Sequence, residues 1–332
     1  MELLLSTEDK TLNYSSIKEK SFVLSLLSKE GKYSYHQGST VFKKVSSYKL
    51  KRFLDEKWNE EKLLEEYLDS LDVDWSKGSL ITDDTVIEKP YAEKIEPVYW
   101  QYSSKNNDFI LGINLTILLW SDGKRIIPIK FMVYEKDSDG NPIQTKNEFV
   151  VEALKYAYSK GINPESVLMD SKYSSSNILN QIESFGWTYY TQLPCNRGFN
   201  GQQLKTRRFQ PYSEIGYLKG VGHRVCVAKH KNRYYATNAT ENRVTREQIV
   251  KRYRKRWVIE VLFRELKQCC HLQECQSLKA GIQKKYVAMC LKAHLQLQEF
   301  NQKTIYQAKL HFLTNHLGLQ VNADRLLNGF VA

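Results

Sequence analysis

The chain has 332 residues, 42% of them hydrophobic, so it is long enough for two or three domains and is ordinary for a soluble globular protein. No apolar run of about 18 residues could cross a bilayer. The N-terminal residues have neither a basic start nor a small-residue cleavage site, so we do not expect a signal peptide. The formal net charge of +12 favours a polyanionic partner, either nucleic acid or an anionic membrane surface.

Residues 1–75 are predicted to form a helical N-terminal region. Between two helical patterns lies a basic segment rich in Ser and Tyr hydroxyl groups, which can all meet phosphate. Its basic residues are Lys43, Lys44, Lys49, Lys51 and Arg52. A small DNA-binding unit fits this segment, and a plain helical cap on the following domain fits it equally well.

Strands follow the helical region. Residues 78–85 (GSLITDDT) are predicted to form a short buried strand that ends in Asp83 and Asp84. Residues 109–120 and 124–134 are two further strands, and the Ser-Asp-Gly turn between them predicts an antiparallel hairpin.

Residues 146–160 have the pattern of an amphipathic helix, and residues 165–169 that of a strand that ends in Asp170. The order strand, hairpin, helix, strand is typical of a ribonuclease-H-like α/β fold. The first and fourth strands of that sheet are neighbours, so acids at their ends come together, and a later helix can add a third acid. Such carboxylates can hold two Mg²⁺ ions. A helix cap or a turn is the alternative role for each single aspartate.

A fifth strand near residues 187–193 precedes a predicted β-rich insertion, residues 195–244, with a hairpin around a Lys-Asn turn. Between residues 197 and 238, nine cations and one acid, Glu214, are interleaved with four tyrosines. The cations are Arg197, Lys205, Arg207, Arg208, Lys219, Arg224, Lys229, Lys231 and Arg233, and the tyrosines are Tyr212, Tyr217, Tyr234 and Tyr235. Cations with aromatic side chains suit a DNA strand whose bases can stack. A solvated β surface with core tyrosines is the alternative.

Residues 245–270 are predicted to form one long helix, because Thr245 and Gln248 fit a capping box and no Gly or Pro follows until Gly281. Five residues recur at three- or four-residue steps and so share one side of this helix. They are Tyr253, Arg256, Glu260, Arg264 and Lys267. A carboxylate flanked by arginines suits a metal-binding acid beside phosphate-binding cations. A solvated helix with i,i+4 ion pairs is the alternative.

The gaps of two, three and six residues between Tyr253, Arg256, Glu260 and Lys267 resemble the Y-R-E-K signature of DDE transposases, of the IS4 kind of bacterial insertion sequence. DDTVIEKP, which begins at Asp83, is similar to the first-acid motif of that family, and VLMDSKYSSSNIL, around Asp170, is similar to its second-acid motif. The resemblance covers most of residues 78–300. The N-terminal region resembles that of the family only in being helical.

The resemblance implies that Asp84, Asp170 and Glu260 are catalytic and hold two Mg²⁺ ions, for which Mn²⁺ can substitute. Asp84 is the acid that matches the motif, because it directly precedes Thr85. Asp83 remains the alternative, since strand alternation points the two neighbouring side chains to opposite sides.

The same resemblance implies a cut-and-paste reaction: cleavage at the insertion-sequence ends, through a hairpin intermediate, and transfer of the freed 3′ ends into target DNA. The predicted DNA-binding residues are Tyr253, Arg256, Lys267, Arg264, Arg207 and Arg208. Trp257 could stack on a flipped base, and a position in the core is its alternative role.

The predicted architecture is a ribonuclease-H-like catalytic core over residues 76–194 and 245–302, with the insertion at 195–244 and a C-terminal tail at 303–332. Double-stranded DNA is the expected partner, both terminal repeats and target, and paired ends imply at least a homodimer while DNA is bound. We expect a bacterial cytoplasmic protein without a membrane partner. A domesticated DNA-binding protein without catalysis and a nuclease on the same fold are the rival interpretations.

The six cysteines are expected to be reduced thiols in a cytosol, because nothing else indicates secretion. One interpretation of the cluster near the end of the helix predicted over residues 245–270 is a zinc site, because four possible ligands lie close together in the sequence: Cys269, Cys270, His271 and Cys275. No C-x-x-C pair is present, however, and Cys269 and Cys270 lie on different faces of a helix. Buried thiols that pack the end of a helix are the interpretation we favour.

Overall fold

The computed structural model describes residues 14–29, 33–34, 36, 46–103, 107–209, 213–240, 244–300 and 302–316. Lys43, Lys44 and Tyr212, which the sequence predicts to contact DNA, lie outside these residues. No helix in the described ranges is long and apolar enough to cross a membrane.

Along the chain, groups of helices alternate with groups of strands. The helices are α1 (Tyr14–Leu27), α2 (Ser47–Asp55), α3 (Glu60–Asp69), α4 (Lys146–Ser159), α5 (Ser176–Ser184), α6 (Arg246–Arg254), α7 (Val258–Cys269), α8 (Ala280–Glu299) and α9 (Ile305–His311). The strands are β1 (Ser79–Glu88), β2 (Tyr99–Ser103), β3 (Asp108–Ser121), β4 (Ile126–Val133), β5 (Ser166–Met169), β6 (Tyr189–Leu193), β7 (Gly198–Phe199), β8 (Gln202–Gln203), β9 (Glu214–Gly216), β10 (Val225–His230) and β11 (Arg233–Thr237).

The main sheet has the strand order β2-β3-β1-β5-β6-β11-β10-β9, and β4 also pairs with β3. Strands β1 and β5 are parallel neighbours, with register from Ser79↔Ser166 to Thr82↔Met169. This confirms that the first and fourth predicted strands lie side by side. Strands β3 and β4 form the predicted antiparallel hairpin. Gly123 in its turn has φ +89°, a conformation that glycine adopts without strain.

The strands predicted as an insertion extend the main sheet. Strands β10 and β11 form the predicted hairpin, in which His230 pairs with Arg233 around a two-residue turn. Strand β11 also pairs antiparallel with β6, so the sheet continues without a break into residues 195–244. Strand β2, which the sequence pattern does not predict, pairs antiparallel with the first part of β3.

Helix α4 begins at a capping box. The side chain of Thr145 accepts a hydrogen bond from the N–H of Glu148, and the Glu148 carboxylate accepts one from the N–H of Thr145 at 2.8 Å. Its apolar face, which includes Phe149 and Leu154, is buried in one core with the sheet and α5. Full burial of each such side chain contributes about 1.5–3 kcal/mol. The cap and this core together fix Lys146, the first residue of the helix.

The chain forms two compact units. Strand β1, strand β3 and helix α7 each begin in one unit and end in the other. The sheet unit comprises Leu68–Thr85 and Asn114–Val261, and the helical unit comprises Met1–Tyr67, Val86–Ile113 and Leu262–Ala332. In the helical unit α1 packs against α2 and α8. The helices of the N-terminal region therefore belong to the same unit as the C-terminal helices. The DNA-binding role of the N-terminal region stays a prediction.

Two predicted elements differ from the structure in extent. The helix predicted over residues 245–270 is divided into α6 and α7 by a 3₁₀ turn, Lys255–Trp257, although the predicted capping box at Thr245 is present. Strand β1 does not end at the two acids but runs on to Glu88. The region predicted as a C-terminal tail, residues 303–332, contains α9, and the residues Phe312 and Leu313 that follow this helix are buried.

The cysteines at the end of α7 are buried as predicted, with Cys269, Cys270, Cys275 and Cys290 all inside the helical unit. Burial raises the pKa of Cys269 to about 12, so the thiol is protonated at neutral pH. Lys309, which is also buried, donates from Nζ to the carbonyl oxygen of Cys269 at 2.7 Å. This lysine satisfies one of the carbonyl groups left free at the end of a helix.

Candidate active site

Strand β1 places two acids just beyond its pairing with β5. The parallel ladder stops at Thr82↔Met169, so Asp83 and Asp170 are the next residues on the two neighbouring strands. Side chains alternate along a strand, and Asp83 and Asp84 therefore leave β1 on opposite sides. The contacts of the two aspartates are correspondingly different.

Asp83 forms a buried ion pair with Arg256. One guanidinium N–H group of Arg256 donates to Asp83 Oδ2, and Asp83 Oδ1 accepts a hydrogen bond from the backbone N–H of Asp84 at 2.8 Å. Burial raises the pKa of Asp83 to about 7; the Arg256 charge opposes this shift, and the Asp84 and Asp170 carboxylates add to it. Asp83 thus lies within electrostatic reach of Asp170, as the strand register predicts.

Arg256 connects Asp83 to the third predicted acid. It lies in the 3₁₀ turn between α6 and α7 and donates through its second terminal nitrogen to Glu260 Oε1 at 3.3 Å. Burial alone would lower its pKa, but neighbouring groups, chiefly Asp83 and also Asp170 and Glu260, raise it above the usual value. Its Nε is buried and has no hydrogen-bond partner among the described residues. Asp83 and Glu260 therefore bind the same guanidinium group, and Asp170 acts on it electrostatically.

Asp84 is surrounded by cations and hydroxyl or amide donors. Oδ2 accepts from Asn114 Nδ2 at 2.9 Å and from Lys146 Nζ at 2.8 Å. Oδ1 accepts from the Tyr173 hydroxyl at 2.8 Å and from Lys172 Nζ at 3.4 Å. Burial would raise its pKa, but Lys146 and Lys172 lower it to about 2. The sequence motif favours Asp84 as the metal-binding acid, yet it is Asp83 that shares Arg256 with Glu260.

The three acids are carboxylates, the ligand type that Mg²⁺ and other hard divalent cations prefer. In the described part of the chain, no three His, Cys, Asp or Glu side chains are close enough together to hold a metal ion in this conformation. The Arg256 guanidinium instead supplies the positive charge between Asp83 and Glu260. The donor set fits a divalent cation, provided that Arg256 moves away from the carboxylates.

Tyr253, the first residue of the predicted signature, is largely buried. Its hydroxyl donates to Gln192 Oε1 at 3.5 Å, and its ring contacts Tyr235 edge-on with the centroids 5.0 Å apart. The Arg256 guanidinium carbon lies 5.8 Å from the Tyr253 ring centroid. Burial raises the pKa of Tyr253 to about 12, so the phenol stays protonated. In this structure Tyr253 supports Arg256 from one side.

Arg264 and Lys267 lie on the part of α7 that belongs to the helical unit. Lys267 Nζ donates to the carbonyl oxygen of Val86 at 2.8 Å, whereas Arg264 is exposed. Their predicted contacts with DNA stay predictions.

The predicted cations of the insertion divide into structural and exposed residues. Arg207 donates to Glu214 at 2.8 Å and stacks over the Phe199 ring at 5.1 Å. Tyr234 and Tyr235 are buried, as in the alternative of core tyrosines, whereas Tyr217 is 55% exposed. Six of the cations are exposed: Lys205, Arg208, Lys219, Arg224, Lys231 and Arg233.

Trp257 is 63% exposed, so the alternative of a core position is wrong. It lies on the rim of an open cavity of about 680 Å³ in the sheet unit. The cavity is also lined by Lys231, Arg233, Arg254 and Arg256, so that an aromatic ring and four cations surround one space next to the acids.

The partners of Asp84 could not be found from the sequence. Lys172 follows Asp170 by two positions within the second-acid motif, but nothing in the sequence connects it to Asp84. Lys146 begins a correctly predicted helix, and Asn114 lies within a correctly predicted strand. Their convergence depends on the strand order β3-β1-β5, which local periodicity does not encode.

A family model described as the transposase DDE domain matches residues 74–296. The chain belongs to the DDE transposase family. This confirms the predicted class of enzyme, a DNA-cleaving transposase, and DDE transposase domains generally use divalent metal ions. No curated protein matches the chain.

The transposase is similar to a solved structure of the piggyBac transposase, a cryo-EM structure of its synaptic complex with hairpin DNA. The two share 13% sequence identity with a TM-score of 0.51, and the match covers 99% of this chain and 74% of that chain. At this identity the likeness concerns the fold. It confirms a mixed α/β architecture of the ribonuclease-H-like DDE kind.

Proposed function

We propose that this transposase is of the IS4 kind, cuts DNA at the ends of an insertion sequence and joins the freed 3′ ends to target DNA. The observation that carries the proposal is the convergence of Asp83 and Glu260 on the Arg256 guanidinium, with Asp170 at the neighbouring strand end. Three acids from two adjacent strands and one helix are the arrangement that a shared metal site needs.

In this proposal Asp83, rather than Asp84, joins Asp170 and Glu260 as the metal-binding set. Asp83 has one cationic partner to exchange for a metal ion, whereas both oxygens of Asp84 already accept two hydrogen bonds each. Two Mg²⁺ ions, or Mn²⁺ in their place, would supply an activated oxygen nucleophile and stabilise the leaving 3′ oxygen.

The protein side chains then bind and orient the DNA strand. Arg256, once released from the carboxylates, lies next to the reacting phosphate and can neutralise its charge, because guanidinium groups bind phosphate in a bidentate manner. Tyr253 holds the guanidinium from one side. Positioning and charge neutralisation account for most of the catalysis in phosphoryl transfer.

Two features support a hairpin intermediate on duplex DNA. The exposed Trp257 beside a cationic cavity can stack on a base that leaves the helix. The structurally similar piggyBac transposase is described in a synaptic complex with hairpin DNA. We further propose that at least a homodimer binds the DNA, because the two ends of the element are held together in one complex.

The test uses DNA that carries the two ends of the element, identified as inverted repeats in the DNA that flanks the gene. Glu260→Gln should bind this DNA nearly as well as the wild type does but should abolish nicking in Mg²⁺, because it removes one carboxylate charge from the metal set. Glu247→Gln, at an exposed acid on α6, is the matched control and should nick normally. Denaturing gels report nicked, hairpin and joined products.

Nicking by Glu260→Gln at the wild-type rate would exclude this site assignment. Cut but never joined DNA would identify a nuclease on the same fold. Binding without any metal-dependent product, in the wild type as well, would identify a DNA-binding protein without catalysis.

A further inference from the structure

We infer that Lys172, positioned by Asp84, forms a binding site for a DNA backbone phosphate beside the metal site. This inference rests on the proposed function and assigns roles to two residues that the metal set does not use. Asp84 acts through Lys172 and is a positioning residue. Lys172 contacts the DNA.

The hydrogen-bonding capacity of the Asp84 carboxylate is fully used. A carboxylate offers about four acceptor positions on its two oxygens. The donors Asn114, Lys146, Lys172 and Tyr173 take all four, at distances from 2.8 to 3.4 Å. A metal ion could bind Asp84 only after displacing protein donors, two of which are charged.

The bond to Lys172 is the weakest of the four and the easiest to redirect. It is 3.4 Å long, and the Lys172 side chain is 63% exposed, whereas the Lys146 side chain is 28% exposed. Asp84 is the one hydrogen-bond acceptor of Lys172 among the described residues. An ammonium group has three donors, so Lys172 can keep its contact with Asp84 and still donate to a second anion.

The backbone places Lys172 next to the acids. It lies in the 3₁₀ turn Ser171–Tyr173, directly after Asp170 at the end of β5. The turn is held in place by Tyr173, which is buried and donates to the same Asp84 oxygen. Lys172 also interacts electrostatically with Asp83 and Asp170. A DNA strand whose reacting phosphate is bound at these acids therefore passes within reach of the ammonium group.

The charge of the cluster favours an anion. Asp84, Lys146 and Lys172 together carry a net charge of +1, and the proposed divalent cations would neutralise the neighbouring Asp83 and Asp170 carboxylates that also act on Lys172. Asp84 thus holds two cations at the edge of an acidic site. The anion with this chemistry in the proposed reaction is a backbone phosphate next to the one that is cut.

The first experiment measures the salt dependence of DNA binding. A duplex of random sequence is titrated with the full chain in Ca²⁺, which avoids cleavage, at several salt concentrations. Lys172→Ala should reduce the slope of log affinity against log salt by about 0.9, the value for one phosphate neutralised by one cation. Lys172→Arg should restore the wild-type slope, because it keeps the charge.

Lys155→Ala is the control, since Lys155 is an exposed lysine on α4. It loses the same charge and should leave the slope unchanged. A slope for Lys172→Ala equal to that of Lys155→Ala would overturn the inference. Circular dichroism of each variant reports whether it is folded.

The second experiment separates Asp84 from the metal set. Mn²⁺ binding to the protein without DNA is measured by electron paramagnetic resonance for Asp84→Asn and Asp83→Asn. Asp84→Asn should bind Mn²⁺ as the wild type does, whereas Asp83→Asn should lose this binding. The opposite result would make Asp84 a metal ligand and overturn the inference, while leaving a metal-dependent transposase intact. Absence of Mn²⁺ binding and of nicking in the wild type would instead overturn the proposed function.

Discussion

At the scale of single residues, two neighbouring aspartates have opposite environments. Asp83 is buried against one guanidinium, and its pKa is raised to about 7 by that burial, whereas the lysines around Asp84 lower its pKa to about 2. Removal of one partner from a buried ion pair is costly, because the other charge remains without compensation. Arg256 is therefore required for the stability of the site before DNA or metal binds.

Arg256→Ala should lower the free energy of unfolding by about 3 kcal/mol at pH 8 in metal-free buffer. A carboxyl group whose pKa is raised by folding destabilises the folded state as the pH rises from about 4 through 7. Without Arg256 the pKa of Asp83 rises further, so the penalty keeps growing above pH 7 and the difference from the wild type should be smaller at pH 6.

Urea denaturation at the two pH values measures this difference. Arg224→Ala, at an exposed arginine of the sheet unit, is the control and should change stability by less than about 0.5 kcal/mol. An effect of Arg256→Ala as small as that of the control would show that Arg256 does not stabilise Asp83.

At the scale of helices and strands, the sequence predicted what local signals encode. The capping box at Thr245 and the two hairpin turns depend on residues a few positions apart, and the sequence predicts them correctly. The sequence does not predict the 3₁₀ turn at Lys255–Trp257, which contains Arg256, the partner of Asp83 173 positions away. Strand alternation separated Asp83 from Asp84 but could not tell which side faces Glu260, since that depends on tertiary packing.

Thr245→Ala should lower the free energy of unfolding by about 1 kcal/mol, because the hydrogen bond that Thr245 Oγ1 accepts from the N–H of Gln248 is lost. Thr245→Ser keeps the hydroxyl group and should retain most of the stability. Urea denaturation of the two variants against the wild type is the measurement. Equal destabilisation by both substitutions would mean that the hydroxyl is not the stabilising group.

At the scale of the whole molecule, the surplus of positive charge is unevenly placed. The formal net charge is +12, and six exposed cations lie between residues 205 and 233, of which Lys231 and Arg233 line the cavity beside Trp257. If this surface binds the DNA backbone, the position of the charges determines the affinity, and the net charge by itself does not. Two variants with equal net charge can separate these effects.

The insertion variant replaces Arg208, Lys231 and Arg233 by Gln, and a control variant replaces the exposed Lys94, Lys124 and Lys155 by Gln. Both variants carry three fewer positive charges than the wild type. The insertion variant should reduce the slope of log affinity against log salt by about 0.9 for each phosphate that is no longer neutralised, whereas the control should keep nearly the wild-type slope. Fluorescence anisotropy with a duplex oligonucleotide measures both. Equal slopes for the two variants would show that the net charge of the chain, rather than the insertion surface, attracts the DNA.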